Sequence, residues 1–267
     1  CVKDENTPQT LNNNIKLGRI LFIVSCENGY NSKNLSKSYE MILQSYLEKD
    51  DFLNNIYPMP IGIPNYNFFR QKLEKFLIKK DNQNNKDIAL FYSGNLNKNR
   101  IKFFFQYYSI NIIRKIYIVL LVKLKFKSLL KKQLKLLRLN YNEQNKNVIL
   151  FNSEFHSGLS KSDYLDYLSR AKYTLCPQGF SSYETFRHYE QAAFGSFSIV
   201  QKLPQNWIYN NFPCIKIKSW KNLHYKLLNR KNFNGNEYQL SVNWYLNTID
   251  PIGASNKIFN MYLNFKK

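Results

Sequence analysis

The sequence predicts an α/β protein, with a Rossmann-like domain on a parallel sheet and an abbreviated α/β part ahead of it. Three observations carry this. Short apolar runs at residues 19–26, 88–92, 148–152 and 173–175 are each the length of a buried strand. Stretches with helical spacing of apolar residues separate them, which is the alternation of a parallel sheet. Polar or Gly-containing turns follow the runs, as in Glu27-Asn28-Gly29 and Ser93-Gly94-Asn95.

In chain order, residues 1–18 are polar and Asn-rich, a loose lead-in. RILFIVSC (19–26) is a strand, and Glu27 follows at its C-terminal end, where α/β proteins place ligands. Residues 36–49 have helical spacing through Tyr39, Ile42, Leu43 and Tyr46. Residues 56–64 are extended and punctuated by Pro, 67–79 are helical, and 81–86 form a polar linker. IALFY (88–92) is a second strand, with Arg100 at the start of the next helix. After the strand at 148–152, a loop carries Glu154 and His156. Residues 160–171 form a helix with Tyr164, Tyr167 and Leu168 inward. A strand at 215–217, a short helix at 220–229 and two tail helices split by Asp250-Pro251 complete the chain.

The stretch 173–200 carries the chemistry. It reads as strand, tight loop, helix, turn, strand. Cys176-Pro177-Gln178-Gly179 breaks the strand. Ser181 and Glu184 have capping-box spacing, which predicts a helix start near Ser182 and an end at Gly195. Backbone amides of Ser181 and Ser182, beside Gly179, would then face open space and suit a phosphate. Arg187 and Glu190 share one helical face with Tyr183 and Gln191 beside them, while Phe186 and Ala193 pack inward. A guanidinium and a carboxylate past an anion site suit a nucleotide diphosphate, Arg187 on phosphate and Glu190 on ribose hydroxyls. A surface ion pair on an amphipathic helix is the plainer alternative.

These residues also resemble a family. CPQG followed by ETFRHYEQAAFG is similar to the C-terminal motif of exostosin-type glycosyltransferases. Glu190 and Gly195 match the Glu and Gly spacing of the donor-binding helix in many GT-B glycosyltransferases. Ser93-Gly94-Asn95 and Arg100 resemble the opening of the exostosin donor domain. The resemblance implies a GT-B-like protein with an acceptor-side part at 1–86, a donor domain at 87–234, and C-terminal helices at 235–267 that pack back on the first part. It implies a nucleotide-sugar donor, a glycan or glycoconjugate acceptor, and donor contacts from Gly94, Arg100, Gly179, Ser181, Ser182, Tyr183, Arg187 and Glu190. No Asp-x-Asp occurs. The expected chemistry is therefore metal-independent and without cofactor, with Arg187 and Arg100 balancing the leaving diphosphate. Glu27 and His156 are candidate general bases by position.

Charge adds a partner. The 267 residues carry a formal charge of +21, which calls for something anionic. The run from Lys98 to Arg138 contains no acidic residue, and Lys123, Lys127, Lys131 and Lys135 recur every four positions. With Leu120, Leu124, Leu130, Leu134 and Leu137 interleaved, it reads as amphipathic basic helices for an anionic membrane surface, or as a solvated helix face. The apolar IYIVLLV is too short to span a bilayer. A membrane-associated location follows: the Golgi lumen if eukaryotic, the cytoplasmic membrane face if bacterial. A nucleic-acid-binding module, or a membrane-peripheral module with a degenerate donor site, is the alternative. No nucleic-acid motif is present, which makes nucleic acid the weaker partner. The spacing of Cys1, Cys26, Cys176 and Cys214 fits no metal site or disulfide framework, so Cys26 and Cys176 are expected reduced and buried.

Overall fold

The computed structural model describes residues 20–24, 32–35, 37–49, 51, 55–78, 86–108, 110–124, 126–142, 147–152, 158–221, 223 and 235–265, with the backbone alone at 98, 136–142 and 265. Among the described residues, short apolar runs form parallel strands in two sheets. The smaller joins β1 (Ile20–Ile23), β2 (Met41–Gln44) and β3 (Ile56–Pro58), all parallel. After α1 (Tyr66–Leu77), the larger sheet begins with β4 (Ile88–Asn95). The chain then runs through α2 (Lys98–Tyr107), α3 (Ile112–Lys123) and α4 (Lys127–Asn142) to β5 (Asn147–Asn152). Helix α5 (Lys161–Arg170) leads to β6 (Ala171–Leu175), α6 (Phe186–Ala193) to β7 (Phe197–Val200), and β8 (Cys214–Lys216) follows. Spatial order is β5-β4-β6-β7-β8, parallel throughout.

Helices cover both faces of this sheet. On one, Phe69, Phe76, Leu165, Leu168 and Ala192 share a core with Ile88, Phe91 and Val200. On the other, Phe103, Phe104, Ile118, Leu121 and Leu134 pack on Leu90, Tyr92 and Ile149. This is the Rossmann-like arrangement expected for residues 88–92, 148–152 and 173–175. From β4 the chain first adds β5 on one side and then β6 on the other. The C-terminal ends of β4 and β6 therefore mark the reversal of strand order, the usual position for a ligand crevice in such sheets.

The C-terminal helices α7 (Gly235–Thr248) and α8 (Pro251–Phe265) split at Asp250-Pro251, as the sequence implies. From α8, Ile258, Met261 and Tyr262 cover Met41, Leu43 and Tyr57 of the small sheet, and the Tyr262 hydroxyl donates to Glu40 at 2.8 Å. The connection between β7 and β8 ties the large sheet to the small one. Trp207 Nε1 donates to the Pro58 carbonyl at 2.7 Å, Asn206 Nδ2 to Leu47 at 2.6 Å, and Gln205 N to Glu48 at 2.7 Å.

Four expectations are corrected here. Residues 36–49 hold β2 instead of a helix. Met41, Ile42 and Leu43 are all fully buried, and a strand buried on both faces has no alternation to betray it. Tyr46, at φ 58°, is in the left-handed region and would stop a helix. Lys86 is an anchor, not a linker residue: it is buried, and Nζ donates to the carbonyls of Ser169, Ala171 and Phe194 at 3.2, 2.9 and 2.9 Å. The basic run is helical but is not one stripe. Helix α3 ends at Lys123, so Lys127, Lys131 and Lys135 alone lie one turn apart on α4. Leu130 and Leu134 are buried as expected, but Leu120 and Leu124 are exposed. Residues 224–229 of the expected short helix lie outside the described residues.

Candidate functional site

The crevice at the reversal is lined first by the end of β4. Ser93, Gly94 and Asn95 close that strand, and Arg187 reaches them from the first turn of α6. Its Nη2 donates to the Ser93 carbonyl at 2.6 Å, and its guanidinium lies over the Tyr92 ring at 5.0 Å. A Cβ on Gly94 would stand 2.7 Å from the Tyr92 hydroxyl and 3.2 Å from Arg187 Nη2. The space that Gly94 leaves is therefore taken by Arg187 and Tyr92, where the sequence suggested direct approach by a donor. Arg187 Nε and the Tyr92 hydroxyl are both buried there without a hydrogen-bond partner.

Glu190 sits one turn further along α6. Its Oε2 accepts from the Tyr164 hydroxyl at 2.9 Å, so α5 holds it in place. Burial pushes the Glu190 carboxyl up, while the Tyr164 hydrogen bond and the Arg187 charge pull it down. Among the described residues, Arg187 Nη1 and Glu190 Oε1 have no protein partner, and neither is sealed from solvent. Tyr164 escapes sequence reading as a site residue because its spacing marks only an inward-facing aromatic. The Cys176 thiol lies nearby and is buried, which pushes it up to about 12 and leaves it neutral.

The loop before α6 departs from expectation. The helix begins at Phe186 with Thr185 as N-cap, and Thr185 N donates to His188 Nδ1 at 3.3 Å. The Thr185 and His188 pair displaces the Ser181 and Glu184 box, so the amides of Ser181 and Ser182 lie in a loop and do not crown the helix. Gly179 N donates to the Ser182 carbonyl at 2.9 Å, and Ser182 Oγ accepts from Glu184 N at 2.9 Å. Gly179 is not among the glycines with positive φ. Ser181 is exposed, Tyr183 lies under Lys202 Nζ at 4.8 Å, and Phe186, expected inward, is at the surface.

Arg100 is brought to the same rim but is engaged in bracing it. Its Nη1 donates to Asn95 Oδ1 at 2.6 Å and its Nε to the Gln178 carbonyl at 3.4 Å, tying β4 to the loop after β6. Asn99 Nδ2 adds a bond to the Phe180 carbonyl at 2.6 Å. The candidate bases Glu27 and His156 lie outside the described residues.

A second polar cluster, which the sequence did not reveal, fills the junction of the two sheets. Glu184 is fully buried, accepts from the Tyr189 hydroxyl, and faces the backbone of Tyr46 and the Glu48 carboxylate. Burial pushes its carboxyl up to about 8. His188 is equally buried, pushed down to about 3 and so neutral, with Nδ1 3.4 Å from the Tyr209 hydroxyl. Both residues look like capping or surface positions in sequence, and only burial gives them this role.

Fold and site together define a doubly wound α/β protein with Arg187 and Glu190 beside the reversal between β4 and β6. No protein-family model matches the chain, and no curated protein sequence matches it.

Proposed function

We propose that the protein is a glycosyltransferase that moves a sugar from a nucleotide-diphosphate sugar to a glycan or glycoconjugate, with a GT-B-like organisation of exostosin type. One observation carries most weight. Arg187 and Glu190 stand at the crevice between β4 and β6, each fixed by one partner and each keeping one unpartnered polar atom towards solvent. In this reaction an acceptor hydroxyl oxygen attacks the anomeric carbon, the bond from that carbon to the diphosphate breaks, and the hydroxyl proton passes to a base. Negative charge grows on the departing diphosphate, and Arg187 Nη1 would stabilise it without a metal. Glu190 Oε1 would accept from the ribose hydroxyls and orient the nucleotide. The exostosin-like motif supplies the substrate class.

The anionic partner fits a membrane better than a nucleic acid. Helix α3 also exposes Ile112, Ile113 and Ile116, and the connection to α4 exposes Phe126; apolar side chains beside cations suit a bilayer interface.

The test is a melting-temperature screen of the full chain against nucleotides and nucleotide sugars, with chelator present. At least one nucleoside diphosphate should stabilise it. Glu190→Gln and Arg187→Ala should each weaken that ligand roughly ten- to a hundred-fold, since a hydrogen bond to a charged group is worth about 1.5–3 kcal/mol. Parent-like binding in both variants would sink the assignment.

A further inference from the structure

A cleft of about 520 Å³ lies between α4 and the edge strand β5, apart from Arg187 and Glu190. Small-molecule sites span about 300–1,000 Å³, so it has room for a ligand. Its floor is apolar and aromatic, with Phe104, Tyr108, Ile149 and Phe151. Its wall is Lys127, Lys131 and Lys135. Among the described residues, neither Lys131 nor Lys135 has an ion-pair partner. Like charges four apart on a helix repel, so a bound anion would relieve a strain built into α4.

The neighbouring surface gives an independent indication. Ile112, Ile113 and Ile116 of α3 are 68%, 78% and 56% exposed, and Phe126 before α4 is 52% exposed. Helix α3 packs against α4, so these apolar side chains and the lysine wall belong to one helical pair. An apolar floor, a cationic wall and an apolar surround match an acidic amphiphile.

We propose that this cleft seats a single acidic phospholipid. The phosphate lies on Lys131 and Lys135, an acyl chain lies along Phe104, Tyr108 and Phe151, and Ile112, Ile113 and Ile116 enter the interfacial layer of the bilayer. The site deepens the membrane contact inferred above, is tested apart from it, and is independent of glycosyl transfer.

The full chain is melted with dihexanoyl phosphatidic acid below its micellar concentration, with dihexanoyl phosphatidylcholine, and with inorganic phosphate. In parallel, it is sedimented with phosphatidylcholine vesicles with and without phosphatidic acid. The monomeric acidic lipid should raise the melting temperature, and the other two probes should not. Lys131→Gln and Lys135→Gln should each weaken the acidic lipid about fivefold. Leu159→Trp, which fills the cleft from its wall, should abolish the shift with both lysines intact. Ile113→Asp with Ile116→Asp should reduce vesicle sedimentation and leave monomer binding unchanged. Equal stabilisation by inorganic phosphate or by phosphatidylcholine overturns the site, as do parent-like lysine variants. Vesicle binding without monomer binding also overturns it while sparing the membrane contact. Monomer binding without vesicle binding supports the site and removes the membrane contact instead.

Discussion

Gly94→Ala tests the construction of the crevice at one atom. The new methyl would stand 2.7 Å from the Tyr92 hydroxyl, about 0.7 Å inside ordinary contact, and 3.2 Å from Arg187 Nη2. Arg187 can yield, because its guanidinium ends a flexible chain. Tyr92 cannot: it is fully buried, with Phe103 and Phe151 ring centroids each 5.0 Å away. Gly94 has no positive φ, so backbone strain plays no part. Overpacking of this kind costs about 1–3 kcal/mol. At about 2–4 °C per kcal/mol for a chain of this size, the melting temperature should fall by roughly 4–8 °C for a mid-range loss. The decisive control is Tyr92→Phe. It removes the clashing oxygen, which has no partner to lose, and so should be neutral or slightly stabilising alone. In the double variant the Gly94→Ala loss should shrink without vanishing, because the ring carbon Cζ still lies 3.0 Å from the methyl, giving a coupling of about 0.5 kcal/mol or more. Urea denaturation of the four proteins in the cycle measures this. Additive losses would refute the geometry assigned to Gly94, Tyr92 and Arg187.

Glu184→Gln should flatten part of the pH–stability profile. The folded carboxyl is raised to about 8 from its ordinary 4.5. The folded state therefore holds a proton the unfolded state has released, and stability falls as pH rises from 4.5 to 8. Gln copies the protonated form, so the variant should melt like the parent near pH 5 and above it near pH 8. His188, lowered to about 3, acts with the opposite sign at acid pH but is common to both proteins, as are Glu48, Tyr189 and Tyr209. Parallel profiles would count against the assignment. Lys86→Met should leave three carbonyls unpaired and lower the urea midpoint, with a loss of roughly 3 kcal/mol and an unchanged m-value. Tyr164→Phe frees Glu190 and should weaken the stabilising nucleotide roughly three- to tenfold, measured by titration calorimetry, with little change in melting temperature. No change in affinity would separate Tyr164 from the site.

The central sheet was legible because β4, β5 and β6 are short apolar runs with turn residues behind them. The small sheet was half legible. Strand β3 announced itself through its prolines, whereas β2 shows Met41, Ile42 and Leu43 in a row, a pattern compatible with a buried helix turn. The break between α3 and α4 has no Gly or Pro to mark it. Asn111 caps α3 by accepting from Arg114 N at 3.0 Å, and Phe126 N donates to the Leu121 carbonyl at 3.0 Å in the connection that turns the chain. Such turns are set by packing on the sheet, which local sequence does not record. The same limit explains the capping error before α6. Ser181 and Glu184 have the right residue types, but Glu184 is drawn into the junction by Tyr189, and Thr185 takes the cap.

That junction links the two halves of the molecule to the crevice. Helix α6 carries Arg187 and Glu190 on the crevice side, and His188, Tyr189 and Gln191 on buried faces. Adjacent residues on a helix point in directions about 100° apart, so one short helix serves both surfaces. One route from the small-sheet side to α6 runs through Glu48, Ser182 and Glu184, since Ser182 Oγ reaches Glu48 Oε1 at 3.4 Å and also accepts from Glu184 N. Arg187 is held on the β4 side by the Ser93 carbonyl and the Tyr92 ring. Arg187 is thus oriented by β4 and Glu190 by Tyr164 of α5, while the loop before α6 is tied both to α2, through Asn99 and Arg100, and to the small-sheet side, through Ser182 and Glu48.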